Sequence, residues 1–335
     1  MNAVIFAFTE RGVETARRVR DALGGEIVAP ERLAGTDCVS RKEPLAEYVG
    51  GVFDRDALIF VGASGIALRA VAPHIADKRS DPAVICLDEA ARFVIPLLSG
   101  HIGGANRLAR RLAAALGATP VITTATDVNG RFAVDAWAAE RGFAICDMAL
   151  AKRVSAAILT RDVPLWTDAA VSGALPEGTY WADSGALGIC VSVYDRHPFD
   201  ETLLLAPGAL RLGIGCKRGT PPGAIEGLVE RVLREHRLRP EAVREAATID
   251  LKADEPGLVD CCRRRGWVLE TLSAEQLDAV PGRFEDSDFV RRTVGVGNVC
   301  ERAALAKGGR LIVPKTAEAG VTVAVAELEW GIDFE

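Results

Sequence analysis

The chain alternates between short apolar runs and stretches in which apolar residues recur every three or four positions. A short run bounded by glycine, proline or charge reads as a buried strand, and the three-to-four repeat reads as a helix with one apolar stripe. Residues 4–8 predict a first strand, and residues 12–23 a helix whose stripe is Val13, Ala16, Val19 and Leu23. A buried strand is expected over 57–61, a short helix over 65–72 ended by Pro73, and strands over 84–87 and 93–97. The clearest helix covers 106–116, where Leu108, Leu112 and Leu116 recur at four-residue spacing with Arg107, Arg110 and Arg111 outside. Gly117 stops it, and a strand is expected over 120–123.

The pattern weakens over 142–207, which holds short β-like pieces such as 187–193 and the turn Pro176-Glu177-Gly178. Order returns with a strand over 210–214, and Pro221 and Pro222 open a helix to about residue 236. Strands follow over 246–249, 268–271, 311–313 and 321–325, with helices over 256–265 and 299–307. Such alternation predicts a multi-domain α/β protein. We expect an N-terminal α/β domain over 1–141, a small irregular middle region or linker over 142–207, and a C-terminal α/β domain over 208–335.

Composition narrows the class. With 49% hydrophobic and 26% charged residues in 335, the chain has an ordinary globular balance and enough length to bury a core without staples. Its eight cysteines are scattered apart from Cys261-Cys262, and without Cys-x-x-Cys the zinc-ribbon and thioredoxin readings fail. No protein-held metal set is expected. The start, Met1-Asn2-Ala3-Val4, lacks a basic leader, and no apolar run approaches the roughly 18 residues of a membrane span. The expected location is the cytoplasm, with no membrane partner. A net charge of −6 argues against a nucleic-acid partner, so an anionic ligand has to be held by local Arg/Lys groups and backbone N–H.

Five segments can carry chemistry. In Ser99-Gly100-His101-Ile102-Gly103-Gly104-Ala105-Asn106, glycines before a helix let a ligand approach backbone N–H groups that suit a carboxylate. His101 is one of four histidines in the chain; the plainer role for this segment is a tight turn. Thr123-Thr124-Ala125-Thr126-Asp127 follows a strand, where α/β sheets bind ligands, although Thr126 or Asp127 also suits a helix cap. Gly62-Ala63-Ser64-Gly65 with Arg69 forms another strand–helix turn, and Lys78-Arg79 adds charge that more commonly is solvated. Gly213-Ile214-Gly215-Cys216-Lys217-Arg218-Gly219-Thr220 fits neither the Walker nor the Rossmann template, because Lys217 precedes Arg218 and Arg218 replaces the third glycine. It remains a doubly basic turn suited to an acidic group, in which Cys216 is either a lowered-pKa thiol or a packed one. Gly295-Val296-Gly297-Asn298-Val299-Cys300-Glu301 again sets glycines before a helix; Glu301 is a candidate base or a dipole complement. Lys315 lies near the last strands with unspecific spacing.

The order of these motifs resembles the cobalt-precorrin-5A hydrolase family, CbiG. Phe60 to Ile66 with Arg69, Ala72-Pro73, Asp77-Lys78 and Asp81 to Val84 look like its N-terminal part, as do Phe93 to Asn106 and Val121 to Asp127. Gly213 to Gly219, Thr248 to Glu255, Gly295 to Ala304 and Thr322-Val323-Ala324 resemble its C-terminal part. Residues 142–207 carry little signature, and Ala90-Ala91 stands where a glycine is expected before Arg92.

The resemblance implies an enzyme of anaerobic cobalamin biosynthesis. It would open the δ-lactone of cobalt-precorrin-5A, release acetaldehyde and give cobalt-precorrin-5B. The substrate would be a flat, cobalt-bearing macrocycle rimmed with acetate and propionate groups. It carries its own cobalt, so no cofactor is expected; contact with neighbouring pathway enzymes is the further partner expectation. His101 is the expected acid/base group, with Asp127, Glu301 and Asp88 as weaker bases and amides near Gly103-Gly104 for the oxyanion. Expected substrate contacts are Ser64, Gly65, Arg69, Lys78, Arg79, Ser99, Gly100, Gly103, Gly104, Asn106, Thr123, Thr124 and Thr126. In the C-terminal part they are Gly213, Gly215, Cys216, Lys217, Arg218, Gly295, Gly297 and Lys315. The alternatives are a non-catalytic corrinoid-binding accessory protein, since the C-terminal part also resembles a short stand-alone protein of the aerobic pathway, and a nucleotide-binding regulator, which the failed loop templates disfavour.

Overall fold

The strand β1 (Ala3–Ala7) is apolar at every position, and the computed structural model, which describes residues 1–77 and 80–334, shows both of its faces covered. Ala3, Ile5 and Ala7 pack with Val13, Ala16 and Val19 of α1 (Glu10–Leu23), while Val4 and Phe6 face the opposite layer. Side chains alternate between faces along a strand, so a run buried on both sides reads as continuous. Thr9 starts α1 by accepting a hydrogen bond from the Gly12 N–H at 3.0 Å.

Two compact units emerge, residues 1–140 and 141–335. The first continues with β2 (Glu26–Pro30), β3 (Val39–Arg41), α2 (Leu45–Gly51), β4 (Ala57–Val61), α3 (Ser64–Val71) and β5 (Ala83–Leu87). It ends with β6 (Phe93–Leu98), α4 (Ala105–Leu116), β7 (Thr119–Pro120), α5 (Ala125–Val128) and α6 (Val134–Glu140). Its seven-stranded sheet has the order β3-β2-β1-β4-β5-β6-β7. Helices α1 and α4 cover one face, α2 and α3 the other. Strands β1, β2, β4 and β5 run parallel, but β6 is antiparallel to β5 and β7 follows β6. The turns after β4 and after β6 therefore leave the sheet at opposite ends: Val61 pairs through Leu87 with Val94 near the start of β6, whereas Leu98 pairs with Val84. The strand expected over 120–123 stops at Pro120, because Thr124 already begins α5.

The stretch expected to be irregular is a correction. It holds β8 (Ala144–Ile145), α7 (Met148–Ile158), β9 (Val163–Thr167), β10 (Ala170–Ser172), β11 (Thr179–Trp181), β12 (Leu187–Val191) and β13 (Glu201–Ala206). Five of these strands form a sheet ordered β11-β9-β12-β13-β8. The signal was weak because the strands are short, β12 is buried at every position, and Pro164 and Gly188 sit inside strands where such residues usually argue against one. Gly188 is required because the Phe199 ring lies against it.

The chain continues with β14 (Leu210–Cys216), α8 (Pro222–Glu235), β15 (Val243–Ile249), α9 (Pro256–Arg265), β16 (Val268–Leu272), α10 (Ala274–Asp278) and α11 (Asp288–Val294). Then come α12 (Cys300–Leu305), β17 (Arg310–Glu318), β18 (Val321–Glu327) and β19 (Gly331–Asp333), which pairs with β10. The second sheet of this unit is ordered β16-β15-β14-β18-β17. Leu210, Leu212 and Ile214 share a core with α8, α9 and with Val193 and Ala206 of the middle stretch. The alternate positions of β14 face α12. A Cβ on Gly213 would collide with the Cys300 carbonyl, so this glycine lets helix and strand close. Beside it the fully buried Arg211 reaches Glu245 (2.5 Å), Glu270 (2.6 Å) and the Ala303 carbonyl (2.9 Å), and Lys307 completes the cluster. Breaking such a buried set by removing one partner typically costs about 3–5 kcal/mol. Among the described residues no helix is long and apolar enough to cross a membrane.

Candidate active site

The turn between β6 and α4 folds back on itself. Ser99 has a left-handed φ of 57° and its hydroxyl donates to the Asp81 carbonyl at 2.9 Å. A Cβ on Gly103 would strike the Ser99 side chain, and one on Gly100 would stand 2.9 Å from Asn106 Oδ1. Gly104, with φ 74°, takes the N-cap position of α4. The N–H groups of Gly104, Ala105 and Asn106 donate to the carbonyls of His101, Ser99 and Gly100 at 2.9, 3.1 and 3.0 Å. Of the Gly103-Gly104 amides expected to hold an oxyanion, that of Gly104 is thus committed within the turn. The glycines serve its closure, and what the turn presents is the His101 side chain.

Both imidazole nitrogens have acceptors. Nδ1 stands 3.1 Å from Asp135 Oδ1, and Nε2 stands 3.4 Å from Asp127 Oδ2 and 3.2 Å from Thr126 Oγ1. The ring is largely covered, with 18% of its side chain exposed. The hydrogen bond to Asp135 lifts its pKa, burial opposes this, and the charges of Asp135 and Asp127 add to the lift, leaving it above the ordinary 6.5. Asp127 is itself fixed: Arg110 Nη2 donates at 2.5 Å and Asn106 Nδ2 at 2.9 Å. Burial raises its carboxyl pKa, but Arg110, Asn106 and His101 outweigh that and hold it below 3.8. Asn106, itself buried, also donates to Thr124 Oγ1 at 2.6 Å. The imidazole thus sits between two carboxylates that favour its protonated form, the arrangement of a proton donor.

The structure brings together Ser99, Gly100, His101, Gly103, Gly104, Asn106, Thr124, Thr126 and Asp127; Thr123 stands beside them, exposed. Ser64 and Gly65, after β4, belong to the opposite end of the sheet. Arg69 is exposed on α3, and Lys78 and Arg79 lie outside the described residues. Asp88, one of the weaker bases, holds its own turn by accepting from the N–H groups of Ala90, Arg92 and Phe93 at 3.0, 2.9 and 2.8 Å. That turn keeps Ala91 at φ 52°, the left-handed geometry for which a glycine was expected here.

The second unit treats its glycine motifs differently. Gly213 and Gly297 are sites where a Cβ would meet the Cys300 carbonyl and the Asp286 side chain, and at Gly215 it would stand 2.6 Å from Thr322 Oγ1. Gly295, with φ 84°, closes α11. Lys217 and Arg218 are exposed on their turn, but the Gly219 N–H already donates to Glu255 Oε1 at 2.6 Å, and Lys252 pairs with the same carboxylate at 3.0 Å. The acidic group that this turn suits is supplied by the chain itself. Cys216 is a packed thiol: burial pushes its pKa up, against the reading as an activated one. Glu301 accepts from Asn298 Nδ2 at 2.6 Å and from the Lys315 N–H at 2.8 Å, tying α12 to β17. Its carboxylate and the Lys315 backbone are engaged with each other.

Family models for the N-terminal and C-terminal parts of cobalamin synthesis G match residues 48–127 and 210–326. A cobalt-precorrin-5A hydrolase from Salmonella typhimurium is 38% identical over 348 residues, covering 95% of this chain and 95% of that protein. The chain belongs to the CbiG family. A cobalt-precorrin-5A hydrolase from Priestia megaterium is 31% identical over 296 residues, covering 80% of this chain and 78% of that protein. Protein CobE from a Sinorhizobium species is 34% identical over 125 residues, 36% of this chain and 81% of that protein. A solved cobalamin biosynthesis protein G homolog from Sulfolobus solfataricus is 24% identical, with a TM-score of 0.42 over 98% of this chain and 97% of that one.

Within this CbiG chain, the N-terminal match includes His101, Asn106, Arg110, Thr124, Thr126 and Asp127 but stops short of Asp135. Sequence reasoning missed Asp135 and took Arg110 for solvated charge. Arg110 was findable, since it stands four residues after Asn106 and so on the same helix face. Asp135 carries no motif, and only the fold of the segment after β7 brings it to His101.

Proposed function

We propose that this chain opens the δ-lactone of cobalt-precorrin-5A and releases acetaldehyde to give cobalt-precorrin-5B, with His101 as the principal acid–base group. Two relatives at 38% and 31% identity that carry this activity in their names support the reaction. The observation that carries the site is a single one: a covered histidine with a carboxylate at each ring nitrogen.

Water adds to the lactone carbonyl carbon and loses a proton to the solvent, and the acyl C–O bond breaks with its electron pair going to the ring oxygen. His101, charged near neutrality, supplies the proton that this oxygen takes up. The resulting hydroxyl then returns its proton to the neutral His101, the adjacent carbon–carbon bond breaks to release acetaldehyde, and the bonding pair passes into the conjugated macrocycle. Asp127 and Asp135 hold the imidazolium in charge and orientation, while Arg110 and Asn106 keep Asp127 ionised. Glu301 has a structural part in this reading. The cobalt travels with the substrate, and no resident cofactor takes part. A cytoplasmic location belongs to the same proposal and fits eight free thiols. The test is to incubate the full chain with cobalt-precorrin-5A and assay acetaldehyde. Binding without acetaldehyde would replace the enzyme by an accessory binding protein.

A further inference from the structure

The turn that presents His101 spends the Gly104 amide on its own closure. The negative charge that builds on the lactone carbonyl oxygen as water adds therefore calls for a donor from elsewhere. Most polar side chains around His101 have fixed duties. Thr126 Oγ1 lies 3.2 Å from His101 Nε2, Asp135 faces Nδ1, Asp127 accepts from Arg110 and Asn106, and the Ser99 hydroxyl donates to the Asp81 carbonyl.

Thr124 differs. It stands at the N-cap position of α5, where a threonine ordinarily turns its oxygen to the first amides of the helix, yet its side chain makes no such bond. Its oxygen instead accepts from Asn106 Nδ2 at 2.6 Å. The direction of that bond is fixed. The same amide nitrogen donates to Asp127 Oδ2 at 2.9 Å, and an ionised carboxylate can only accept. Asn106 is buried and Arg110 holds the other oxygen of Asp127, so neither group is free to turn. With its oxygen accepting, the Thr124 hydroxyl has one proton left to donate, and among the described residues none accepts it. Thr124 is half-buried between the exposed Thr123 and Ala125, which leaves the hydroxyl open to a ligand.

We infer that Thr124 is the oxyanion donor of the lactone opening. Its O–H donates a hydrogen bond to the carbonyl oxygen while that oxygen carries the charge, and it keeps its proton throughout. The inference rests on the reaction proposed above and adds a catalytic residue to it. An N–H donated into a hydroxyl oxygen makes the O–H a stronger donor, because successive hydrogen bonds polarise one another. Asp127 then serves two arms: it faces His101 Nε2, which moves a proton, and through Asn106 it sets Thr124, which moves none.

The test uses the full chain and cobalt-precorrin-5A, and reads single-turnover acetaldehyde release, substrate Kd and the pH profile. Thr124→Val keeps the shape and removes the hydroxyl. Its rate should fall about 10²–10³-fold, the weight of one oxyanion donor. Kd should hold, since the charge exists only in the transition state, and the alkaline limb set by His101 should not move. Thr124→Ser, which restores the hydroxyl, should recover most of the rate. A rate for Thr124→Val within about tenfold of the unaltered chain falls short of that weight and would overturn the inference. So would a loss confined to Kd, which makes Thr124 a binding contact, or a shifted alkaline limb, which makes it a support for Asp127 and His101. Should Thr124→Val fail to fold, Thr124→Ala decides by the same readings. No acetaldehyde from the unaltered chain would overturn the reaction and this inference with it. An active chain indifferent to Thr124 would overturn the inference alone.

Discussion

The turns at Ser99–Gly104 and at Gly213–Thr220 look alike in sequence: each has glycines after a strand, a helix to follow and a polar residue at the tip. In the fold they diverge. In the first, closure of the backbone leaves an imidazole between Asp127 and Asp135. In the second, Gly213 admits α12, and Glu255 from the start of α9 occupies the Gly219 N–H. A glycine reports that something comes close to the backbone. It does not say whether the visitor is a ligand, a neighbouring helix or a carboxylate of the same chain.

The sharpest way to break this comparison is at the two tips. His101→Asn keeps size and some hydrogen bonding but cannot carry a proton near neutrality, so kcat should fall about 10²–10⁴-fold, the usual weight of general acid–base catalysis. Single-turnover acetaldehyde release against a Kd from substrate titration separates this from weaker binding. Wild-type kcat with an unchanged pH profile would move the chemistry elsewhere.

Gly213→Ala tests the packing half. It should lower stability by about 1–3 kcal/mol, as overpacked sites do, while turnover per folded molecule is kept. Urea unfolding with an unchanged slope and a lower midpoint is the expected signature.

Asp135→Asn sharpens the account of His101. Because the folded pKa lies above 6.5, the stability gained from the charged form is fully present below that value and is lost as pH rises through the folded pKa. Activity that needs the imidazolium should fade over the same alkaline limb. Removing the Asp135 charge should shift that limb of the kcat profile to lower pH; an unmoved limb would assign it to another group.

The smallest effect belongs to the second tip. Lys217→Gln with Arg218→Gln should raise KM modestly and leave kcat alone, since both side chains are exposed and the adjoining amide already has its acceptor. Abolished turnover with an unchanged Kd would reverse that assignment.

Much of the fold was legible in sequence where helices had one apolar stripe and strands were long. The stripe of Leu108, Leu112 and the run Ala57–Val61 are examples, because burial writes itself directly into those positions. The middle sheet was not legible, since its strands are short and interrupted by Pro164 and Gly188. The site was half legible. His101 and Asp127 lie in recognisable turns, and their proximity follows from β6 and β7 running side by side. Asp135 was hidden because the chain after β7 reaches the histidine through tertiary folding alone. The self-filled turn at Gly219 could not be foreseen either, as Glu255 lies 36 residues away in sequence.

The brevity of β7 has a consequence for when the histidine is charged. His101 hangs from β6 and α4, both seated in the core, whereas Asp127 and Asp135 lie beyond a strand of two residues at the sheet edge. Short edge elements open at lower free energy than the core they border. An opening there that loosens either carboxylate would lower the proton affinity of the imidazole, since each of the two contributes to raising it. The proton on His101 is then a report on the closure of that edge: acid strength and local unfolding are two readings of one equilibrium.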